Sequence, residues 1–287
     1  DAQYLLEWSV TKESRARGIP FRAEFIRLTI DPPGAGQAAI GSVPQDNSSR
    51  AAVKKFVGRD HVEKTATSAK LRDVPMVDQG QKGYCVVASV ERVMRYYGAD
   101  VDQHELAQVA NTQTEGGTSP DAMLESMKRL TARLGVKIKA VVDWNVQDFL
   151  KTVGDYNRLA KRGKQAPEVT GQYRTLDDYF TRMKPEIYKE ARMKQGADYG
   201  KFRREIQRSI DEGIPLLWSV RLGLVPEKEL NPQTAGGHMR LITGYDNATG
   251  EILYSDSWGA GHEEKRMAAD DAWTITNSLF VLQPIGT

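Results

Sequence analysis

The chain has 287 residues, with 40 Lys+Arg against 38 Asp+Glu, four histidines and one cysteine. A net charge of +2 excludes strong electrostatic capture of nucleic acid or an anionic membrane as the default role. One cysteine excludes an intrachain disulfide and any cysteine-rich zinc site. No apolar run approaches the roughly 18–20 residues that span a bilayer.

The first 70 residues read as an N-terminal β hairpin plus linker. Tyr4–Val10 and Phe21–Ile30 are rich in aromatic and β-branched residues and predict two strands. From Pro32 to about Lys70, Pro-Pro-Gly-Ala-Gly and Pro-Gln-Asp-Asn-Ser-Ser are loop signals. A small appended unit, a propeptide remnant and an edge hairpin all fit this segment. The chain begins at Asp1 without Met, which is read as a mature or trimmed form. The expected location is secreted or periplasmic, with the cytoplasm as the alternative.

From residue 71 onward the helix and strand signals are much clearer. Val86, Val90, Val93, Met94 and Tyr97 recur at helical spacing, and Gly98 is a stop. Glu91, Arg92 and Arg95 are expected on the polar side of this helix. A short helix is predicted over Asp102–Ala110, a second after Thr118-Ser119-Pro120, and a strand over Val136–Val142. Residues 145–212 read as charged helices carrying 15 Lys+Arg against 11 Asp+Glu. A solvated basic face and a lid or partner-docking insert are the two readings of that excess. Phe202, Ile206 and Ile210 give its last helix an apolar stripe, Gly213 closes it, and Pro215–Val220 predicts a buried strand. Met239–Tyr245 and Glu251–Ser255 flank Asp246-Asn247-Ala248-Thr249-Gly250, a hairpin signal, and Thr274–Leu282 predicts a further strand. Helices first and strands later make an α+β chain.

Cys85 stands at the start of the best helix, behind Gln79-Gly80-Gln81-Lys82-Gly83-Tyr84. Unpaired amides and the positive helix end favour a thiolate there, which is the nucleophilic form. Gly83 lets the backbone turn close to a substrate. Taken alone, such a cysteine reads first as a small buried core residue. His238 follows Gly236-Gly237 at a strand start, and the returning strand ends in Ser255-Asp256-Ser257-Trp258-Gly259. With the turn centred near Ala248–Thr249, Asp256 is expected opposite about Leu241, near enough to orient the His238 ring. Gln79 offers a side-chain amide as an oxyanion donor beside the Cys85 N–H. His61, His104 and His262 have no metal-ligand spacing, and no cofactor motif is present.

These segments together resemble the papain-like cysteine peptidases. The residues concerned are Gln-Gly-x-x-Gly-x-Cys, Gly237-His238 before a strand, and Asp256-Ser257-Trp258-Gly259. The aspartate in place of papain's asparagine is similar to the bacteriocin-processing, double-glycine leader branch. So are Gly83–Ser89, Arg95-Tyr96-Tyr97-Gly98 and Gly117-Thr118-Ser119-Pro120. Papain's tryptophan after the cysteine is absent, since Val86 stands there. The resemblance implies a papain-like fold, with a helical half carrying Cys85 and an antiparallel β half carrying His238 and Asp256. It implies a bacterial thiol hydrolase of a peptide or protein substrate. Cys85 would be nucleophile, His238 base and acid, Asp256 orienter, Gln79 oxyanion donor and Trp258 a shield over the His–Asp contact. A silent binding or adaptor module and a transglutaminase-like acyltransferase are the alternatives. The first 70 residues and the segment 145–212 lie outside the resemblance.

Overall fold

In the computed structural model the described residues are 53, 55–80, 83–103, 134–163, 175–228 and 231–285, with 106, 128, 131, 168, 169 and 171 individually. They lie within one unit spanning Gly41–Thr287. The strands expected over Tyr4–Val10 and Phe21–Ile30, and most of the helices expected between Asp102 and Leu134, lie outside the described residues.

The elements run in the order β1 (Val62–Lys64), β2 (Ser68–Leu71), α1 (Cys85–Tyr96), β3 (Val136–Val142), α2 (Val146–Gly163), α3 (Leu176–Phe180), α4 (Pro185–Met193) and α5 (Gly196–Asp211). Then come β4 (Leu216–Leu222), β5 (Gly236–Asp246), β6 (Glu251–Ser255), β7 (Lys265–Ala268), α6 (Ala269–Ile275) and β8 (Thr276–Pro284). The strands form one sheet in the order β1-β2-β5-β4-β8-β3, with β6 on β5 and β7 on β6. Every described pairing is antiparallel. Helices and antiparallel sheet together make the α+β class expected.

Residues 62–71 depart from the linker reading. Ser68–Leu71 alternates half-buried and buried side chains and pairs with β5, while β1 pairs with β2. Strands of three and four residues are too short to raise a period-2 signal against the loop-rich composition around them.

β4 is buried at all seven positions because it lies between β5 and β8 and is covered on both faces. The amphipathic stripes of the 145–212 segment face this core: Tyr156 and Ala160 of α2 and Phe202, Ile206 and Ile210 of α5 are fully buried. The segment is thus a layer of the fold, with its basic excess on the outer side. Gly213 ends α5 with φ +77°, and a Cβ there would lie 2.0 Å from the Gly58 backbone, so only glycine fits. The chain's last strand starts at Thr276, two residues after Thr274, because Ala269–Ile275 forms a helix first.

α1 is tied to the sheet at its far end. The Tyr97 hydroxyl donates to the Leu282 carbonyl at 2.7 Å and the Tyr96 hydroxyl to the Gly213 carbonyl at 3.0 Å. The apolar face of α1 is where the spacing put it, with Val90, Val93 and Met94 fully buried. Its polar side is not: Glu91 is 2% exposed and Arg92 1%.

Candidate active site

Cys85 opens α1, and the N-cap Tyr84 makes no side-chain capping bond. The first-turn amides therefore remain directed at whatever lies in front of the helix. Opposite it, the first residues of β5 carry His238. β6 returns beside β5 with Leu241 opposite Ser255, after a register shift between Ile242 and Gly244. That bulge moves Asp256 one residue from its expected partner, placing it next to Arg240 rather than Leu241.

Asp256 and the His238 side chain are fully buried, and His238 Nε2 lies 3.0 Å from Asp256 Oδ1. The other ring nitrogen, Nδ1, is buried without a complete hydrogen bond of its own. Because Nε2 is occupied, Nδ1 is the atom left for Cys85, with which the ring interacts. Burial opposes the Cys85 thiolate. The hydrogen bond and charge of His238, with the backbone N–H groups of Met239 and Val86, outweigh it and bring the thiol below its ordinary value. Burial likewise pushes His238 down, but hydrogen bonds to Asp256 and Cys85 and their charges carry it above its ordinary value. For Asp256 burial is again the largest influence. It is overcome by His238, Arg240 and Lys265, which hold the carboxyl well below the usual carboxylate range.

Trp258 lies flat on His238, with ring centroids 4.3 Å apart and planes 8° from parallel. The edge of its ring meets His262 at 5.5 Å. Gln79 is brought in by the same β6 terminus. Its backbone N–H donates to the Ser257 carbonyl at 2.8 Å, and the Ser257 hydroxyl donates to Gln79 Oε1 at 2.8 Å. With Oε1 used in this way, Nε2 is the Gln79 group left to donate. Gly259 has φ +78°, and a Cβ there would meet Asp78 Oδ2 at 2.8 Å, so glycine lets the Asp78-Gln79 loop close on the Trp258 turn. At Gly83 and Gly237 a Cβ would meet nothing within 4 Å, so both leave open space. The left-handed glycines are their neighbours Gly80 and Gly236.

The charged helical segment reaches this end of the sheet from α3 and from α4, where Arg192 donates to the Thr276 carbonyl at 3.0 Å. Asp177 of α3 pairs with Arg221, which lies opposite Gly237 in the β4–β5 register. A cavity of about 340 Å³ lined by Trp144, Phe149, Tyr188, Arg192 and Trp273 is separate and includes none of Cys85, His238 or Asp256. His104 lies outside the described residues; His61 stacks on Phe56.

Four side chains around the site escaped the sequence. Arg92 donates from Nη1 to the Asp256 carbonyl at 2.9 Å and from Nη2 to Ser255 Oγ at 2.5 Å. Arg240 and Lys265 donate to the Asp256 carboxylate, and Ser257 holds Gln79. Two of them left a signal. Arg92 is seven residues after Cys85, on the same helix face, and Arg240 is two after His238, on the same strand face.

A cysteine at the head of a helix, facing a histidine on an antiparallel sheet, places a thiol nucleophile beside a base. A family model matches residues 71–279, and the chain belongs to the Peptidase_C39 like family. No curated protein matches it. Among solved structures it is similar to the peptidase domain of Streptococcus ComA, a bi-functional ABC transporter involved in a quorum-sensing pathway. That match has 14% identity and a TM-score of 0.36, covering 74% of this chain and 98% of that one. It is also similar to xylellain, a cysteine protease from Xylella fastidiosa, at 12% identity and a TM-score of 0.41, covering 84% and 90%.

Proposed function

We propose that Cys85, His238 and Asp256 act as a triad that hydrolyses a peptide or isopeptide bond of a peptide or protein substrate through a thioester. The observation that supports this most is the 3.0 Å contact of His238 Nε2 with Asp256 Oδ1, which leaves Nδ1 for the thiol. The lowered cysteine and the raised histidine both favour the thiolate–imidazolium form of the pair, which is the reactive one.

The Cys85 thiolate attacks the scissile carbonyl carbon, and the C=O π pair moves to oxygen. Gln79 Nε2 and the Cys85 N–H donate to that oxyanion. The intermediate collapses with cleavage of the C–N bond, and the His238 imidazolium gives its proton to the leaving amine. Neutral His238 then takes a proton from water, the hydroxide attacks the thioester, and the C–S bond breaks to release the acid and the thiolate. Asp256 stays ionised throughout and holds the ring in place.

The test is alkylation by iodoacetamide with the adduct mapped. Cys85 is expected to react below the pH range of an ordinary thiol, with a pKa of about 8.5, and His238→Ala is expected to lose that low-pH reactivity. An ordinary thiol profile in the unsubstituted protein would overturn the triad. Hydrolysed product, rather than a product joined to an added amine, distinguishes the peptidase from an acyltransferase.

A further inference from the structure

Asp256 is held by much more than His238. Its Oδ1 also accepts from Arg240 Nε at 2.8 Å, and its Oδ2 accepts from Lys265 Nζ at 2.9 Å. Arg240 Nη2 donates to Glu227 Oε2 at 2.8 Å. The same Glu227 oxygen accepts from Asn231 Nδ2 at 2.9 Å and from the Tyr254 hydroxyl at 3.0 Å. Lys265 Nζ donates to Asn231 Oδ1 at 2.7 Å. The path therefore closes on itself: Asp256, Arg240, Glu227, Asn231, Lys265 and back to Asp256.

The ring draws on β5, β6's end, β7 and the loop between β4 and β5. The side chains of Arg240 and Asp256 are fully buried, that of Lys265 is 1% exposed and that of Glu227 is 9% exposed. Two cations and two carboxylates balance. Taking four charges out of water is expensive, and apolar residues of the same volume would serve stability as well or better. The arrangement does supply two things that a lone carboxylate beside a histidine lacks. Both oxygens are tied, so the carboxylate cannot rotate away from Nε2. The two cations that tie it are partly offset by Glu227, so the imidazolium is not driven out by like charge.

We propose that this ring is a positioning device for the Cys85–His238 pair, locking Asp256 toward His238 and balancing its charge, with Arg240, Lys265 and Glu227 as positioning residues. The proposal rests on the reading of Cys85, His238 and Asp256 as a triad. Among the described residues, the other charged or titratable groups near the triad include Arg92 of α1, Glu263 beside Arg92, Tyr254 of β6 and His262 beside Trp258. All of these stay in place in the variants below.

The experiment is the pH profile of Cys85 alkylation by iodoacetamide in the full chain. Lys265→Met removes a cation, which disfavours the thiolate and favours the imidazolium, so the Cys85 midpoint rises by about one pH unit. Glu227→Gln removes an anion but keeps an amide oxygen for Arg240, Asn231 and Tyr254, so the midpoint falls. Lys265→Arg keeps the charge and the profile. Variant profiles that superimpose on that of the unsubstituted protein, whatever their activity or melting temperature, would overturn the ring's role. Should Lys265→Met not fold, the downward shift in Glu227→Gln decides alone. A depressed midpoint in the unsubstituted protein with unmoved variants rejects the ring and leaves the triad standing. An ordinary thiol profile in the unsubstituted protein rejects both.

Discussion

The indole of Trp258 covers the imidazole of His238, 4.3 Å between centroids and 8° between planes, directly beside the 3.0 Å contact between His238 and Asp256. A ring stacked face to face on the imidazole opposes its tilting, and on the proposed mechanism this would shield the His238–Asp256 bond from water. An aromatic stack is worth about 0.5–1.5 kcal/mol, so Trp258→Ala is expected to lower kcat/KM by roughly tenfold at most. The loss should fall on kcat. Steady-state kinetics on a peptide substrate check this, and a change confined to KM would place Trp258 in substrate binding instead.

On the proposed mechanism Gln79 and Ser257 act in series, Ser257 holding the side chain that donates to the oxyanion. Gln79→Ala removes the side-chain donor and is expected to cost about 10²–10³ in kcat. Ser257→Ala keeps the donor but frees its amide to rotate. The loss of one buried hydrogen bond, about 1 kcal/mol, corresponds to roughly fivefold. Neither change should move the pH profile of Cys85 alkylation, because the thiolate forms without them. Equal losses in the two variants would mean that Ser257 has a role beyond holding Gln79.

Glu91 makes stability depend on pH near neutrality. It is buried in α1, pairs with Arg95 at 2.7 Å and accepts from the Gln103 N–H at 2.6 Å. Burial pushes its carboxyl up to about 7, helped by Asp102 and Asp100 and opposed by Arg95 and the Gln103 N–H. The folded state therefore binds this proton more tightly than the unfolded chain. The stabilisation from it is complete below the ordinary carboxyl range and is lost as pH rises through about 7. Glu91→Gln has no proton to lose, so its melting temperature should rise relative to the unsubstituted protein between about pH 5 and about 8. Parallel melting curves across that range would contradict the assignment.

The helices between 145 and 212 should behave as core. Phe202 is fully buried on α5 and packs on Trp273 with centroids 5.5 Å apart. Phe202→Ala is expected to cost about 3–5 kcal/mol of global stability, measured by urea unfolding. A detachable lid would instead melt separately, giving a second transition and leaving the main one unchanged.

The helix of Cys85, the buried β4 and the β5–β6 hairpin were legible because each repeats a simple pattern over seven or more residues, or ends in a strong turn signal. The β1–β2 pair was not, being too short to show one. The Asp256 position was legible to within one residue, and the bulge between Ile242 and Gly244 accounts for the difference. A bulge changes which residues are opposite without changing the alternation that the sequence displays.

The sequence by itself determined which side chains have the right chemistry, in what order, and at which ends of which elements: Cys85 at a helix start, His238 at a strand start, Asp256 at a strand end. What only the tertiary structure decided was the surroundings of that carboxylate. Arg92, Arg240, Lys265 and Glu227 carry charges that read along the chain as ordinary solvated side chains. Arg240 and Asp256, for instance, are 16 residues apart and joined by a hydrogen bond from the guanidinium to the carboxylate, and Arg92, 164 residues from Asp256, donates to its backbone carbonyl. Local periodicity records which face a residue occupies. It does not record whether that face meets water or a buried partner of opposite charge, and for an ionised group that difference determines both its cost and its effect.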